Sequence, residues 1–232
     1  MLFRSFEAQI ENPGFRDGGV KPEFAYNGTF FDNGVFPSIG YNRNFELGDD
    51  DDRRDQGLAP QADMPRPDAP GVRMNNIFTQ EADWIHFKAT VSTSADQIAI
   101  APGYLQREWT ENGRRYFSYD MGETKIANFY SFLSGRYTVQ RDVWAGPQGE
   151  VKIEVYYDPQ HPYNVPRMIE SSKKGLEYFS KNFGPYQFKQ YRILEFPRYR
   201  TFAQSFPNTV PYSEGIGFIA HGTEEDDLDI PF

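Results

Sequence analysis

Cysteine is absent from this 232-residue sequence, which excludes disulfide bonds, cysteine-ligated zinc and thiol nucleophiles. Long hydrophobic runs are missing as well, since no stretch approaches the roughly 18 apolar residues of a membrane-spanning helix. The first seven residues also lack the apolar segment of a secretory signal peptide. We therefore expect the chain to be soluble.

Histidine is scarce, with only His86, His161 and His221 in the chain. A catalytic zinc site usually has three protein ligands, often including two histidines one helical turn apart, and no pair here has that spacing. We interpret each histidine as an ordinary surface or loop residue and predict no metal site in this chain. A nucleophile elbow is absent, because Ser213 lacks the flanking glycines that this motif requires. The sequence also has no glycine-rich phosphate-binding loop.

Negative charge is in excess, with a net charge of -9 and a pI of about 4.9. This argues against a nucleic-acid-binding surface. Much of the excess lies in residues 49–55 and 224–229, which we interpret as solvated loops. A calcium site is the alternative, but residues 49–52 lack the Gly-centred loop and terminal Glu of an EF-hand.

Aromatic residues are abundant, with 21 Phe, 15 Tyr and 3 Trp. Residues 82–157 alternate apolar and polar side chains, as in Ile85-His86-Phe87 and Val151–Tyr157, and this two-residue period predicts antiparallel sheet. Asn112-Gly113 predicts a hairpin. Residues 126–133 form a mostly apolar run that favours one strand covered on both faces. Residues 49–76 carry charges and prolines and are predicted to be an exposed loop.

The pattern changes after His161. Asn164 can cap a helix that has Pro166 in its first turn, apolar residues at helical spacing up to Phe183, and a stop at Gly184-Pro185. A strand at 190–196 and a short strand at 216–220 are predicted to follow. The expected fold is mainly β with an α+β C-terminal part, divided into an all-β domain over residues 1–157 and a helix-strand unit over 158–232.

Six segments, taken in order, resemble the gluzincin zinc aminopeptidases of the membrane alanyl aminopeptidase and leukotriene-A hydrolase type. They include Phe36-Pro37, the helix stop Phe183-Gly184-Pro185-Tyr186, and Tyr212-Ser-Glu-Gly-Ile-Gly-Phe-Ile219, which lies where the family carries Gly-x-Met-Glu-Asn. The others are residues 129–136, 151–157 and 192–197. The resemblance implies an antiparallel β-saddle or sandwich over 1–157, followed by the incomplete first part of a thermolysin-like catalytic domain over 158–232.

The same resemblance identifies Glu214 with the Glu of that motif, an anchor for a peptide N-terminus. Its neighbours Tyr212, Ser213 and Gly215 are then the other candidate substrate-binding residues. A carboxylate at the end of an edge strand can pair with a free α-amino group, and the strand edge can pair with a peptide backbone. Without the resemblance, an exposed Glu in a Gly turn is the alternative. Pro211, Ser213 and Gly215 depart from the family motif and alter the amine-binding floor.

The H-E-x-x-H zinc helix of the family is absent, so we expect no catalytic residue, no cofactor and no peptidase activity in this chain. Zinc is expected in a full-length parent, in which this chain would be a fragment ending before the zinc motif. The subfamily it most resembles is fused to a bacterial ABC-type permease. That implies a membrane-associated parent with this region on the extracytoplasmic or periplasmic side.

Two functions remain open. The first is a fragment of a zinc metallo-aminopeptidase-like protein that contributes the substrate-binding edge and is inactive alone. The alternative is a non-catalytic extracytoplasmic binding or scaffold module of a transporter-associated pseudopeptidase. The expected partners are a peptide substrate, the remainder of the catalytic domain and a membrane permease, with no nucleic acid. Self-association of the fragment is also expected, because its helix and last strand would lack packing partners.

Overall fold

The computed structural model describes residues 27–36, 46–61, 66, 68–70 and 84–220. Predictions for residues 24–26, 37–41, 71–76 and 221–229, including His221, lie outside this range. The described part is mainly β, as the sequence predicts. Its elements, besides a 3-10 turn at Asn33–Val35, are β1 (Thr29–Asp32), α1 (Asp50–Asp55), β2 (Trp84–Ile85), β3 (Lys88–Ser94), β4 (Ile98–Ile100), β5 (Tyr104–Glu111), β6 (Arg114–Asp120), β7 (Ile126–Ala127), β8 (Ser131–Gly135), β9 (Thr138–Gly146), β10 (Gly149–Tyr157), α2 (Val165–Asn182), β11 (Gln190–Phe196), β12 (Thr209–Ser213) and α3 (Glu214–Gly217).

Three small antiparallel sheets form the N-terminal half, with strand orders β1-β8-β4, β3-β6-β5 and β2-β7. The predicted hairpin at Asn112-Gly113 joins β5 to β6. Asn112 and Gly113 have φ angles of 50° and 75°, the positive values that a type I′ turn requires. The alternating sequence thus places Phe87, Phe117 and Tyr119 in a common core.

The single strand predicted over residues 126–133 is wrong. The run divides into β7, which pairs with β2, and β8, which pairs with β1 and β4. The break falls at residues 128–130, where the Phe129 ring stacks on Phe206 and the Tyr130 ring packs against Phe87. Hydrophobicity alone predicts burial at these positions, but the aromatic contacts direct the chain from one sheet into another.

A mixed sheet of order β12-β11-β10-β9 forms the C-terminal half. β9 and β10 are an antiparallel hairpin, whereas β10, β11 and β12 run parallel. This sheet contains strands from both sides of the boundary predicted at residues 157/158, and the division into 1–157 and 158–232 stays a prediction.

Helix α2 crosses between β10 and β11 and confirms the predicted helix. Val165, Met168, Ile169 and Leu176 are its buried residues and share a core with Ile153, Val155 and Ile193. Asn164 makes no side-chain cap, however. Its Nδ2 donates instead to the carbonyls of Gly217 and Ala220, which joins the start of α2 to the end of the described chain.

The last turns of α2 extend past the sheet. Phe179 and Phe183, predicted to belong to the buried face, are 60% and 78% exposed. They contact each other and the exposed Tyr178, with ring centroids 5.4–6.4 Å apart. We call these three side chains the aromatic cluster of α2. Among the described residues, no helix is long and apolar enough to span a membrane.

Two further local predictions are wrong. Residues 214–217 form the helical turn α3 rather than the start of a strand at 216–220, because Phe218 is buried against Tyr212 and both Phe218 and Ile219 donate to the Glu214 carbonyl. The segment predicted as a loop over residues 49–76 contains α1, which has no buried residue. The Asp49 side chain caps α1 by accepting from two backbone N–H groups.

The two halves are joined by Arg192 of β11, whose side chain is completely enclosed. Its Nη2 donates to the Ala101 carbonyl at 2.8 Å, the Asn208 Oδ1 at 3.0 Å and the Thr209 Oγ1 at 2.9 Å. The guanidinium also lies over the Tyr119 ring, 5.5 Å from its centroid. A single side chain thus joins β6, the β4–β5 connection and the start of β12.

Replacing Arg192 should therefore destabilise the folded state strongly. We expect Arg192→Met to lower the free energy of unfolding by about 3 kcal/mol or more, since it leaves several buried acceptors without a donor. The exposed Arg141→Met, which breaks a surface ion pair with Glu154, should cost at most about 1 kcal/mol. Urea denaturation of both variants measures the difference, and equal costs would contradict the role assigned to Arg192.

Candidate functional site

Polar side chains converge where the three parallel strands end. Asp158 directly follows β10, Glu195 is the penultimate residue of β11, and Glu214 directly follows β12. In sheets of this kind, ligands bind outside the carboxyl ends of the strands. This edge is therefore the first place to look for a site.

Glu195 is at the centre of the cluster, although β11 is otherwise apolar at its carboxyl end. Its side chain is only 4% exposed, and Oε1 lies 2.5 Å from His161 Nδ1. Oε2 accepts from the Asp158 backbone N–H at 2.6 Å. A turn in which the His161 N–H donates to the Asp158 carbonyl brings the imidazole back over β11. His161 is thus not the ordinary loop histidine that the sequence predicts, whereas His86 is exposed as predicted.

Glu214 completes the group from the opposite side. Its side chain is 19% exposed, and Oε1 accepts from the Arg198 backbone N–H at 3.2 Å. One ligand atom each from His161, Glu195 and Glu214 lie within 4.8 Å of one another. The carboxylates of Glu195 and Glu214 therefore lie close to a single imidazole, whereas the Asp158 carboxylate accepts from the Asn27 side chain and the Gln160 N–H.

The other predicted substrate-binding residues lie elsewhere. Tyr212 is buried with its ring against Phe218. Ser213 is also buried, and its Oγ donates to the Arg200 carbonyl at 2.8 Å. Gly215 is exposed on α3. Of the four residues predicted to bind substrate, Glu214 alone brings a side-chain polar group to the cluster, and the role of all four in binding stays a prediction.

The outer edge of β12 is already paired within the chain. Phe206 and Thr209 exchange backbone hydrogen bonds, Gln204 donates to the Pro211 carbonyl, and Ser213 donates to the Phe202 carbonyl. Residues 202–206 thus already cover the outer edge of β12, where the sequence suggested that a peptide could pair. The side chains at the strand ends are left to bind a ligand.

Sequence reasoning missed Glu195 and His161, because it searched for histidines at helical spacing. These residues are 34 positions apart and meet only through the β10–α2–β11 connection. One signal was available: in Ile193-Leu-Glu-Phe196 a carboxylate interrupts an apolar strand. A charged side chain in a buried strand needs a partner, so it marks a position to examine.

A cavity of about 350 Å³ lies at the opposite end of the same strands. It is lined mostly by apolar and aromatic side chains, among them Trp84, Phe129, Tyr191 and Phe206. Charged groups converge in the cluster at the carboxyl ends of the strands. Among the described residues that line this cavity, Lys125 is the only charged one. We therefore place the candidate site at Glu195 and Glu214.

The fold is similar to part of several solved peptidase structures. Aminopeptidase A of Legionella pneumophila in complex with aspartic acid matches 60% of this chain and 17% of that chain, at 14% identity and a TM-score of 0.54. A mutant of a two-domain M1 zinc metallopeptidase matches with TM-scores of 0.51 when bound to L-arginine and 0.50 when bound to L-tryptophan. These two structures are 17% and 18% identical to this chain and match 58% and 56% of it.

This chain shares its fold with part of each of these structures. It spans between about a sixth and a third of the length of those structures. No protein-family model matches the chain, and no curated protein is significantly similar to it.

The residues of the cluster can be compared with the ligands of a peptidase zinc site. The sequence has no H-E-x-x-H, and the cluster has one histidine and two glutamates from three separate elements. In addition, the His161 ring and the Glu195 carboxyl are hydrogen-bonded to each other. This arrangement does not fit the two-histidine helix of a peptidase zinc centre, so no hydrolytic step is assigned to it.

Burial raises the pKa of the Glu195 carboxyl to about 7, although hydrogen bonds from the Asp158 N–H and the His161 ring oppose this shift. The folded pKa lies above the ordinary value of 4.5, so the folded state holds a proton that the unfolded chain releases between these values. The contribution of Glu195 to stability is therefore greatest at low pH and is lost as the pH rises toward 7.

We expect the unfolding free energy of the wild type, relative to Glu195→Gln, to decrease by roughly 2 kcal/mol between pH 5 and pH 7.5. The amide does not titrate, so the difference between the two proteins isolates this carboxyl from the others. Chemical denaturation at several pH values measures it. A difference that stays constant over that range would show that Glu195 does not titrate there.

Proposed function

We propose that this chain forms the substrate-binding edge of a zinc metallo-aminopeptidase-like protein, with the Glu214 carboxylate holding the α-ammonium group of a peptide. The observation that carries the proposal is the position of Glu214. It ends the outer parallel strand, is partly exposed, and adds to an excess of negative charge at the strand ends. The similarity to part of the M1 aminopeptidase fold supports the proposal.

The electrostatics favour a cationic ligand. Glu195 and Glu214 bring two carboxylates together, and among the described residues their ion-pair partners are His161 and Arg198. The Arg198 Nε is 3.9 Å from Glu214, and its side chain is 71% exposed, so water screens most of its charge. An α-ammonium group would add hydrogen bonds as well as charge, and these select a chain terminus over an internal peptide.

The chemistry itself we assign to a longer parent protein. There zinc would be bound by residues that this chain lacks, and it would polarise the scissile carbonyl and activate water. The role of this chain is to bind and orient the substrate amine. Tyr212 and Ser213 then support Glu214 indirectly, because their buried side chains hold the end of β12 in the core.

A non-catalytic extracytoplasmic module of a transporter-associated pseudopeptidase is the second candidate. The aromatic cluster of α2 favours it, because exposed groups of large apolar side chains mark protein interfaces. In that case a membrane permease, or the remainder of a catalytic-like domain, would cover Tyr178, Phe179 and Phe183. A periplasmic location of this region belongs to the same proposal.

Amine binding can be tested by titrating L-alanine amide into the protein with EDTA present and following backbone NMR shifts. Glu214→Gln should weaken binding by about 10-fold or more, since it removes a charge-assisted contact. N-acetyl-L-alanine amide, which has no ammonium group, should not bind. Glu154→Gln, which changes a carboxylate paired with Arg141, is the matched control and should leave binding unchanged.

Equal affinity for the free and acetylated amides, or for wild type and Glu214→Gln, would refute the anchor role. Shifts that cluster around α2 instead of residues 195–215 would favour the scaffold function.

Self-association should depend on the aromatic cluster of α2. We expect the protein to form concentration-dependent oligomers, because the three rings are exposed together and burying them removes apolar surface from water. Replacing Tyr178, Phe179 and Phe183 by Ser should yield a monomer in sedimentation velocity. Val143→Ser, at an exposed apolar residue of β9, is the control. Unchanged oligomers in the triple variant would place the association elsewhere.

A further inference from the structure

We propose that His161, Glu195 and Glu214 form a binding site for a divalent transition-metal cation, bound by the imidazole Nδ1 and one oxygen of each carboxylate. The site goes beyond the proposed amine binding and does not rest on it. All three ligands belong to described parts of this chain. They come from the β10–α2 connection, the end of β11 and the start of α3.

The distances are close to those that a metal needs. Zinc–nitrogen and zinc–oxygen bonds of about 2.0–2.2 Å place tetrahedral ligand atoms roughly 3.3 Å apart. The three ligand atoms already lie within 4.8 Å of one another. Glu214 has to approach, and the 2.5 Å contact between His161 Nδ1 and Glu195 Oε1 has to open by less than about 1 Å.

The surrounding hydrogen bonds already orient the carboxylates. The Asp158 N–H holds Oε2 of Glu195, which leaves Oε1 directed at the imidazole. The Arg198 N–H holds Oε1 of Glu214. Backbone donors of this kind fix the direction of metal-ligating carboxylates and cost nothing to rearrange when a metal binds.

The charge balance also points to a cation. The Glu195 carboxylate is almost completely buried, and within the described ranges its one charged partner in direct contact is His161. Glu214 adds a second carboxylate, and the exposed Arg198 compensates it weakly. A divalent ion would replace the proton shared by His161 and Glu195 and offset the remaining negative charge.

The donor set defines the class of metal. One imidazole nitrogen with two carboxylates suits zinc, cobalt or manganese better than calcium or magnesium, which prefer all-oxygen sites. Three protein ligands also leave a coordination position on the solvent side, where the Glu214 side chain is partly exposed.

The test uses the intact chain, stripped with EDTA and desalted, and contains no peptide. Zinc chloride titration by calorimetry should show one saturable site. His161→Ala should weaken it by at least about 100-fold, since loss of a direct ligand costs no less than loss of a supporting residue. His86→Ala removes an exposed histidine outside the cluster and should leave the affinity unchanged.

Paramagnetic cobalt provides a second readout that does not depend on a variant. It should shift and broaden the imidazole NMR signals of His161 and leave those of His86 unaffected. If His161→Ala is unfolded by circular dichroism, Glu214→Gln is the deciding variant, because its side chain is partly exposed and should also lose the site.

The absence of saturable binding, full affinity in Glu214→Gln, or equal cobalt effects on the histidines would overturn the metal site. Amine binding is measured with EDTA present, so its failure is separate from this one.

Discussion

The buried guanidinium of Arg192 is the interaction on which the rest of the structure depends. It has no carboxylate partner in the part of the chain that the structure describes, and backbone carbonyls, Asn208, Thr209 and the face of Tyr119 solvate it instead. Such a group cannot return to water unless the surrounding sheets separate. It therefore fixes β11 against the N-terminal half of the chain, and every other feature of β11 is positioned with it.

β11 in turn connects two cores. Ile193 packs in the cluster that contains Val165 and Met168 of α2, whereas Leu194 and Phe196 pack in the cluster with Phe30. Because side chains alternate along a strand, Glu195 lies on the same face as Ile193, toward the start of α2. His161 comes just before that helix. The contact between Glu195 and His161 is therefore a consequence of sheet geometry and of the α2 crossover.

The cation binding that we propose relies on carboxylates whose surroundings are largely fixed. These carboxylates are held by backbone N–H groups and by strands whose registers are fixed, so little reorganisation is needed on binding. The two ligands that we propose, an α-ammonium group and a divalent metal, would both offset the negative charge of these carboxylates. They differ in the role of His161. The metal would be bound by its ring nitrogen, whereas the ammonium group would be bound by the carboxylates alone.

The covered edge of β12 changes how a peptide could approach. Residues 202–206 satisfy the backbone groups along its outer edge, so the peptide contact that we propose would be made by side chains instead of strand pairing. Pro211 is consistent with this arrangement, because it has no N–H to offer and its carbonyl already accepts from Gln204. The aromatic cluster of α2 faces solvent and forms a separate apolar surface.

The sequence by itself determined the local elements: the alternating strands β3, β6 and β10, the hairpin at Asn112-Gly113, and α2 with its stop at Gly184. Each depends on side-chain period or on backbone preferences of adjacent residues, which are readable along the chain.

Only the tertiary structure decided the break before β8, the helical turn at Glu214, the covered edge of β12, and the meeting of His161, Glu195 and Glu214. These depend on contacts between residues far apart in sequence. A strand or helix pattern indicates which face can be buried but not which distant segment covers it, and at Phe179 and Phe183 no described segment does so.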